Sequence, residues 1–551
     1  MAAECDLDVR RHAFLRQHCL YASTVSDLDP DLTGLQVVPL AVSLEMLAEV
    51  AVASAGGLVP IRLEQLRAYN WIALDDGPRT IRLEAAPLSD TDGHARVSAR
   101  IRDDAGMPLV EAVVVLAAAP QAPVSADLAP APLSDPQPSI GRDEDLYLTG
   151  MFHGPLFQSV AGVAAWDASG MDAWLADTPL DGFFQPGERP NFLLNPVLLD
   201  AVGHVTAFWV GQYLGTNFSC FPSSIAAIDL YDAGREDTRG GFIARRLGAE
   251  QSSAEPSYLY GEFACFGPDG VPLFRATGWR DRFFEVPPRF FFARFQPRDG
   301  FYGDDVSGLF ANLPDNALVW RVPAYARGFL DDAGGIWRRV LSNTVLSAEE
   351  RLDWKALSQP QPRRDEWLIG RIAIKEAART WIEAMYGVRL MPADIVVKVA
   401  EGGKPYVSGE GLETIGEMPE VSMAHVAGEA VAIAAPPGAP VGIDMDTAGR
   451  TATADLLAAG FSAAEQAILM DSETAAPLRV LLAWCAKEAA AKCVGSGLNG
   501  EPRSFVVSAL DDQQGWSQVI VPGDIALSIS LAVDEQSVLA VAYADKAQAE
   551  G

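Results

Sequence analysis

Apolar positions in the first 297 residues follow two patterns that occur once and then recur. From Leu40 to Ala55, Leu44, Leu47, Ala48 and Ala51 share a helical face and Gly56-Gly57 follow, which predicts a helix ending there. ARVSARIRDD and PLVEAVVVLAA read instead as β-strands. Six prolines between Pro120 and Pro138, in a run dominated by Ala, Pro and Ser, predict an extended linker. Beyond it the order repeats. Asn195-Pro196, a cap and then a proline at the first helical position, opens a helix to about Tyr213, and strand-like GGFIARRLGA, SYLYGEFACFG and VPLFRATGW follow. Two similar halves, 1–120 and 140–297, each a long apolar helix before an antiparallel sheet that could wrap it, form an α+β pattern.

After VPPRFFFARFQPRDG the pattern turns helical around WLIGRIAIKEAARTWIEAMYG and PLRVLLAWCAKEAAAKCVG, with strand-like VVKVA, VAIAA and ALSISLAV between or after them. This predicts a further helix-and-strand unit over 310–551. Its join, near Pro297 to Asp315, crosses few predicted core elements, so 310–551 should fold alone.

Composition narrows the classes. At ~100–200 residues per domain, 551 residues suggest three or four compact units. Hydrophobic residues at 49% and charged residues at 21% exclude wholesale disorder. A net charge of −31 repels nucleic acid and anionic lipid, so neither is expected as a partner. Glu45 and Glu49 interrupt the best apolar stretch, and MAAECDLDVRR lacks a basic flank with an apolar run behind it, so no membrane span is expected and the chain reads as cytoplasmic. The six scattered cysteines form no CxxC pair, which suits buried thiols in a reducing compartment.

In APVGIDMDTAGR, period-two alternation puts the carboxylates of Asp444 and Asp446 on one face, half a metal cage. In WCAKEAAAK, Trp484, Glu488 and Lys492 lie four apart on one helical face, so an acid and a base can meet one ligand or simply form a solvated salt bridge. Taken in order, GGKPY (Lys404), VSMAHVAG (His425), VGIDMD and WCAKEAAAK resemble the long, Sfp-type phosphopantetheinyl transferases of polyketide and peptide synthesis. The resemblance implies a pseudo-two-fold α/β domain that moves 4'-phosphopantetheine from coenzyme A to a serine of an acyl carrier protein. It implies Mg²⁺ on Asp444, Asp446 and Glu488, oxygen donors that suit a hard cation. Lys492 would add charge at the phosphates, Lys404 and His425 would hold the nucleotide's phosphates, and either Glu488 or a water would be the base. Arg371, Lys375 and Arg379 form a basic stripe at four-residue spacing that either faces coenzyme A or the carrier, or is a solvated face; Arg371 resembles the family's early Gly-Arg element. The chain departs in having Asp446 where glutamate is commoner and Ala424 where serine usually precedes the histidine.

NPVLLDAVGHVTAFWVGQY carries Asp200 and His204 four apart on a largely apolar helix, where burial should raise the aspartate's pKa. The pair is either a satisfied buried contact or an acid with its partner. FLRQH, VVPLAVSLEMLAEVA, FHGPLFQ and NPVLLDAVGH together resemble the dehydratase domain of type I polyketide synthases, a double hotdog, and the stretch after His18 is similar to enediyne-type and related iterative synthases, where a dehydratase precedes a transferase. The resemblance implies that His18 takes the α-proton of a 3-hydroxyacyl thioester and Asp200 protonates the departing hydroxyl, with His204 supporting Asp200. Gly154 would offer a backbone N–H to the thioester carbonyl, and His153 stands where tyrosine is commoner. The usual histidine motif is stretched, Pro39 following His18 by 21 positions, which keeps His12 as a rival base.

The expectation is a bifunctional enzyme that primes an acyl carrier protein and dehydrates acyl chains on it, with a homodimer through the dehydratase as one assembly. The alternative is an active transferase fused to a non-catalytic, acyl-binding or product-template-like double hotdog.

Overall fold

Helices form at Leu40–Ala55 (α1) and Pro196–Tyr213 (α2), with the ends the stop and cap signals predict. The computed structural model describes residues 1–75, 77–88, 93–122, 128, 131–148, 151–213, 218–247, 258–450, 454–470 and 476–544. The chain forms two compact units, one of residues 1–23, 33–295 and 333–340, the other of 24–32, 296–332 and 341–551.

In the first unit, α1 and α2 lie on one antiparallel sheet of eleven strands, in the order Ala2–Leu7, Arg79–Pro87, Ala95–Arg102, Pro108–Ala117, Val59–Ala68, Phe218–Leu230, Pro272–Glu285, Tyr258–Phe266, Phe242–Leu247, Gly170–Leu175 and Val160–Asp167. The halves do not stand as separate domains, because Val59–Ala68 and Phe218–Leu230 pair in register Ser224↔Arg67 to Asp229↔Arg62. Burial of Leu44, Leu47, Ala48 and Ala51 from α1 and of Leu198, Val202 and Val205 from α2 against the sheet makes one core. Glu45, buried in α1, accepts from the backbone N–H of Leu193 and Leu194 at 2.7 and 2.8 Å, which fixes the approach to α2. This is the double hotdog arrangement. Trp337, from the later segment 333–340, is fully buried in this unit beside Tyr21, Phe284 and Phe290.

In the second unit, a 26-residue helix, Gln361–Tyr386, covers a four-stranded sheet ordered Asp304–Asp305, Leu318–Val322, Glu429–Ala435 and Glu420–Val426. A second long helix, Ala476–Val494, covers a five-stranded sheet ordered Val441–Thr447, Ser537–Tyr543, Ile525–Val533, Trp516–Val521 and Val506–Asp511. Helix on antiparallel sheet thus occurs twice in it. Segment 24–32, from the stretch between His18 and Pro39, packs here: Asp394 Oδ1 accepts from Ser26 Oγ at 2.6 Å, Asp27 N at 2.9 Å and Leu28 N at 3.2 Å.

Of the proline-rich stretch, 123–127 and 129–130 lie outside the described residues, as do the last two residues of GGFIARRLGA and the first of SYLYGEFACFG. The six cysteines are unpaired; Cys19, Cys265, Cys485 and Cys493 are buried, while Cys5 and Cys220 are half-buried. Among the described residues no helix is long and apolar enough to cross a membrane.

Candidate active sites

Asn195 starts α2. Its Oδ1 accepts from the N–H of Val197 and Leu198 at 3.0 and 3.1 Å, and Pro196 occupies the position where a missing donor costs nothing. One turn in stands Asp200 and, four residues on, His204, which is wholly buried. Outside the regular strands, His18 and His153 form an isolated antiparallel bridge. That bridge brings three imidazoles around one carboxylate. His153 Nε2 and His204 Nε2 each lie 3.2 Å from Asp200 Oδ2, and the His18 and His153 rings are 5.0 Å apart between centroids. All but His204 line a cavity of about 740 Å³ whose other walls include Leu44, Met151, Phe208, Ile228 and Phe274.

Partners fix the protons. His18 Nδ1 lies 2.7 Å from the carbonyl of Val37, which can only accept, so Nδ1 carries the proton and Nε2 is bare. Burial, with His153 adding to it, lowers the His18 pKa to about 4, so the ring is neutral at pH 7. Burial and the nearby His204 likewise lower His153 to about 4. Tyr147 Oη accepts from Val160 N and lies 2.9 Å from His204 Nδ1, to which it donates, leaving His204 Nε2–H for Asp200. Nothing in DEDLYLTG marks Tyr147 beforehand.

Two expectations change. Burial does push the Asp200 pKa up, but N–H donation from His153 and His204 outweighs it and holds the carboxyl well below the ordinary range, ionised rather than protonated. Gly154 cannot offer its N–H to a thioester as it stands, because that N–H donates to Gln17 O at 2.8 Å. The approach is close: a Cβ on Gly154 would sit 2.3 Å from Gln17 Oε1. His12 lies apart from Asp200, its ring at Asp8 O and edge-on to Phe14 and Phe184.

In the second unit, the strand Val441–Thr447 lies directly on the helix Ala476–Val494 because residue 442 has no side chain; a Cβ there would be 2.0 Å from Ala489 O. The contact aligns Asp444 with the helix. Lys492 Nζ donates to Asp444 Oδ1 at 2.8 Å and Ile443 O at 3.1 Å, and the Cys485 thiol also donates to Asp444. Lys492 therefore pairs with Asp444, not with Glu488 as the helical spacing offered. Burial first and the charge of Asp444 second raise the Glu488 pKa, partly offset by Lys492. Asp444 and Glu488 are near enough for the charge of one to act on the other, and their carboxylates are oxygen donors that fit a hard divalent ion. Asp446 is differently engaged, accepting from Thr447 N at 2.8 Å and Arg450 Nη1 at 2.5 Å. Among the described residues, Asp444, Asp446 and Glu488 do not close into a ligand set; the group of three whose ligand atoms lie within 4.8 Å of one another is His18, His153 and Asp200.

Lys404 Nζ donates to Glu420 at 2.8 Å, and His425 lies 3.8 Å from Glu366 with its side chain 39% exposed. Ser422, upstream of that histidine, accepts from Ile443 N at 3.2 Å. The basic stripe is neither solvated nor presented as a surface. Lys375 is fully buried on Val345 O, Pro392 O and Glu350, and Arg379 is buried on Pro297 O, Arg298 O and Gly300 O. Their partners are too distant in sequence for the spacing to reveal. Arg371 differs. It is buried, stacks 4.6 Å over the Trp367 ring, and among the described residues makes no side-chain hydrogen bond.

Residues 128–287 match the model of the polyketide synthase dehydratase N-terminal domain, and residues 440–543 match that of the 4'-phosphopantetheinyl transferase superfamily. The first match includes His153, Asp200 and His204 but not His18; the second includes Asp444, Asp446, Glu488 and Lys492 but not Arg371, Lys404 or His425. No curated protein matches the chain. Among solved structures, the chain is similar to the dehydratase domain of the polyketide PpsC from Mycobacterium tuberculosis, at 19% identity over 52% of this chain and 93% of that one, with a TM-score of 0.37. A PpsC dehydratase domain in complex with C12:1-CoA matches at 22% identity, 51% and 93% coverage and a TM-score of 0.36. A trans-AT polyketide synthase dehydratase domain from Brevibacillus brevis matches at 16% identity, 52% and 94% coverage and a TM-score of 0.37. The chain thus carries one segment that matches the polyketide synthase dehydratase model and, beyond it, one that matches the 4'-phosphopantetheinyl transferase superfamily model.

Proposed function

We propose that the first unit dehydrates 3-hydroxyacyl thioesters carried on an acyl carrier protein and that the second transfers 4'-phosphopantetheine from coenzyme A to such a carrier. The observation that carries the reading is the cluster of His18, His153 and Asp200 opening on an apolar cavity large enough for an acyl chain. His18 Nε2, bare and neutral, removes the α-proton of the thioester. Asp200 is ionised at the outset, so it holds no proton of its own to donate. The proton that reaches the departing hydroxyl is then the one His18 has taken up, delivered directly or through Asp200, and the neighbouring carboxylate stabilises the imidazolium in between. Water and the enoyl thioester leave with no net proton exchanged.

In the second unit, the carrier serine oxygen bonds to the β-phosphorus of coenzyme A as the bond to 3',5'-ADP breaks, and the serine proton passes to a base. Glu488, its pKa raised by burial, is placed to take it. Asp444 and Glu488 would hold Mg²⁺, which when bound neutralises charge on the pyrophosphate. Arg371, buried with its donors unused, and Lys404 and His425, once released from their glutamates, are the proposed anion contacts. A proposed homodimer would form through the dehydratase unit.

Two observations favour the second reading of the first unit, an acyl-binding module without catalysis: His153 and His204 at the Asp200 carboxylate favour its ionised form, and the Gly154 N–H is engaged. The full chain incubated with a 3-hydroxyacyl carrier separates the readings. Loss of 18 mass units as water supports dehydration, and none at any chain length leaves acyl binding. For the transferase, apo carrier should gain the phosphopantetheine mass with Mg²⁺ and coenzyme A; undiminished conversion in both Asp444→Ala and Glu488→Ala would end that assignment.

A further inference from the structure

We propose that His18, His153 and Asp200 form a binding site for a borderline transition-metal ion, Zn²⁺ foremost, and that the bound ion blocks the proton transfers of the first unit. The blocking role rests on the dehydratase reading; the binding does not. One ligand atom from each residue lies within 4.8 Å of the other two. Two imidazole nitrogens and one carboxylate oxygen suit Zn²⁺ rather than Mg²⁺, which prefers oxygen donors alone. A cavity wall leaves room for a fourth ligand and a way in.

For His18 and Asp200 the outer shell is that of ligating groups. His18 donates Nδ1–H to a backbone carbonyl, which fixes its ring with Nε2 bare. Asp200 is held by His204, and His204 by Tyr147. His153 differs: its Nε2 lies 3.2 Å from Asp200 Oδ2 and would be the ligating atom, while its Nδ1 is buried and has no hydrogen-bond partner. Acid–base chemistry between His18 and Asp200 needs no third imidazole, and an unsatisfied buried nitrogen carries a cost that packing alone does not explain. A third donor beside the pair converts a proton-transfer site into a chelating one. An ion there occupies the lone pair His18 needs as a base and the carboxylate beside it.

The test is equilibrium dialysis of the full chain against Zn²⁺, with metal analysis, for the wild type, His18→Phe, His153→Phe and Asp444→Ala. Losing one of three ligands should weaken one equivalent of bound Zn²⁺ by at least about tenfold in both histidine variants, since outer-shell losses alone cost ~10–100-fold. Asp444→Ala should keep that equivalent. His153→Gln serves if His153→Phe fails to give native circular dichroism. Equal affinity and stoichiometry in the wild type and the histidine variants overturn the site. Dehydration that proceeds undiminished with the equivalent bound overturns the blocking role alone, whereas a chain that binds the equivalent yet dehydrates nothing even when stripped of zinc overturns the dehydratase reading and leaves the site standing.

Discussion

Asp200 Oδ2 sits beside buried imidazoles, and the burial of His18 and His153 fixes how the unit responds to acid. His18 and His153 titrate near 6.5 in an unfolded chain and at about 4 in the fold. Between those values the unfolded chain binds more protons, so stability is full above about pH 6.5 and falls as pH drops toward 4, by on the order of 3 kcal/mol for each histidine. Asp200, depressed, adds a further loss only below about pH 4. Thermal melting followed by circular dichroism should therefore show the first unit losing stability from pH 6.5 to 4, and His153→Phe should flatten that slope. Activity follows the same groups. His18→Phe and Asp200→Asn should each cost roughly 10²- to 10⁴-fold in dehydration rate, the scale of a general acid–base group. In the wild type the rate should reach its plateau once pH exceeds about 4, where His18 is neutral, with no decline near pH 7 from loss of an Asp200 proton. A rate that instead falls through pH 5–7 would mean that the protonated carboxyl is the working form.

Among the elements, the four-residue pair Asp200 and His204 was legible because α2 announces itself by Asn195-Pro196 and keeps one apolar face. Its electrostatics were not, since the donor His153 comes from an isolated bridge 47 residues away and helps to reverse the effect of burial. The strand Val59–Ala68 hid for a local reason. Gln65 sits at φ 53° in a bulge, so Leu66 falls out of step with Ile61 and Leu63 and the period-two pattern breaks. Phe218–Leu230 carries Pro222 beside its own bulge, which reads against a strand. Gly442 shows the reverse, a residue with no pattern of its own on which a site depends. Gly442→Ala should push the strand Val441–Thr447 off its helix, cost about 1–3 kcal/mol as overpacking does, and separate Asp444 from Lys492. Melting temperature and holo-carrier formation measure the two effects; a variant with unchanged conversion would show that Asp444 need not meet the helix.

At the scale of the molecule, the cut that the sequence invites between 297 and 310 removes residues the second unit uses. Arg379 would lose Pro297, Arg298 and Gly300 as acceptors, Glu376 would lose the N–H groups of Tyr302 and Gly303, and Asp394 the donors of segment 24–32. Each buried group left unpaired costs about 1–3 kcal/mol, and charged ones more. Fragment 310–551 should then melt well below the full chain or aggregate, and 296–551 should recover most of the difference in the same melting experiment; equal stability of the two fragments would refute this. The first unit has a matching debt to Trp337. Such interleaving also has a consequence in time. Ser26 meets Asp394 across 368 residues of sequence, so at ~5–20 residues per second a ribosome leaves that segment without its partner for about 20–70 s while the residues that flank it in sequence are already free to fold.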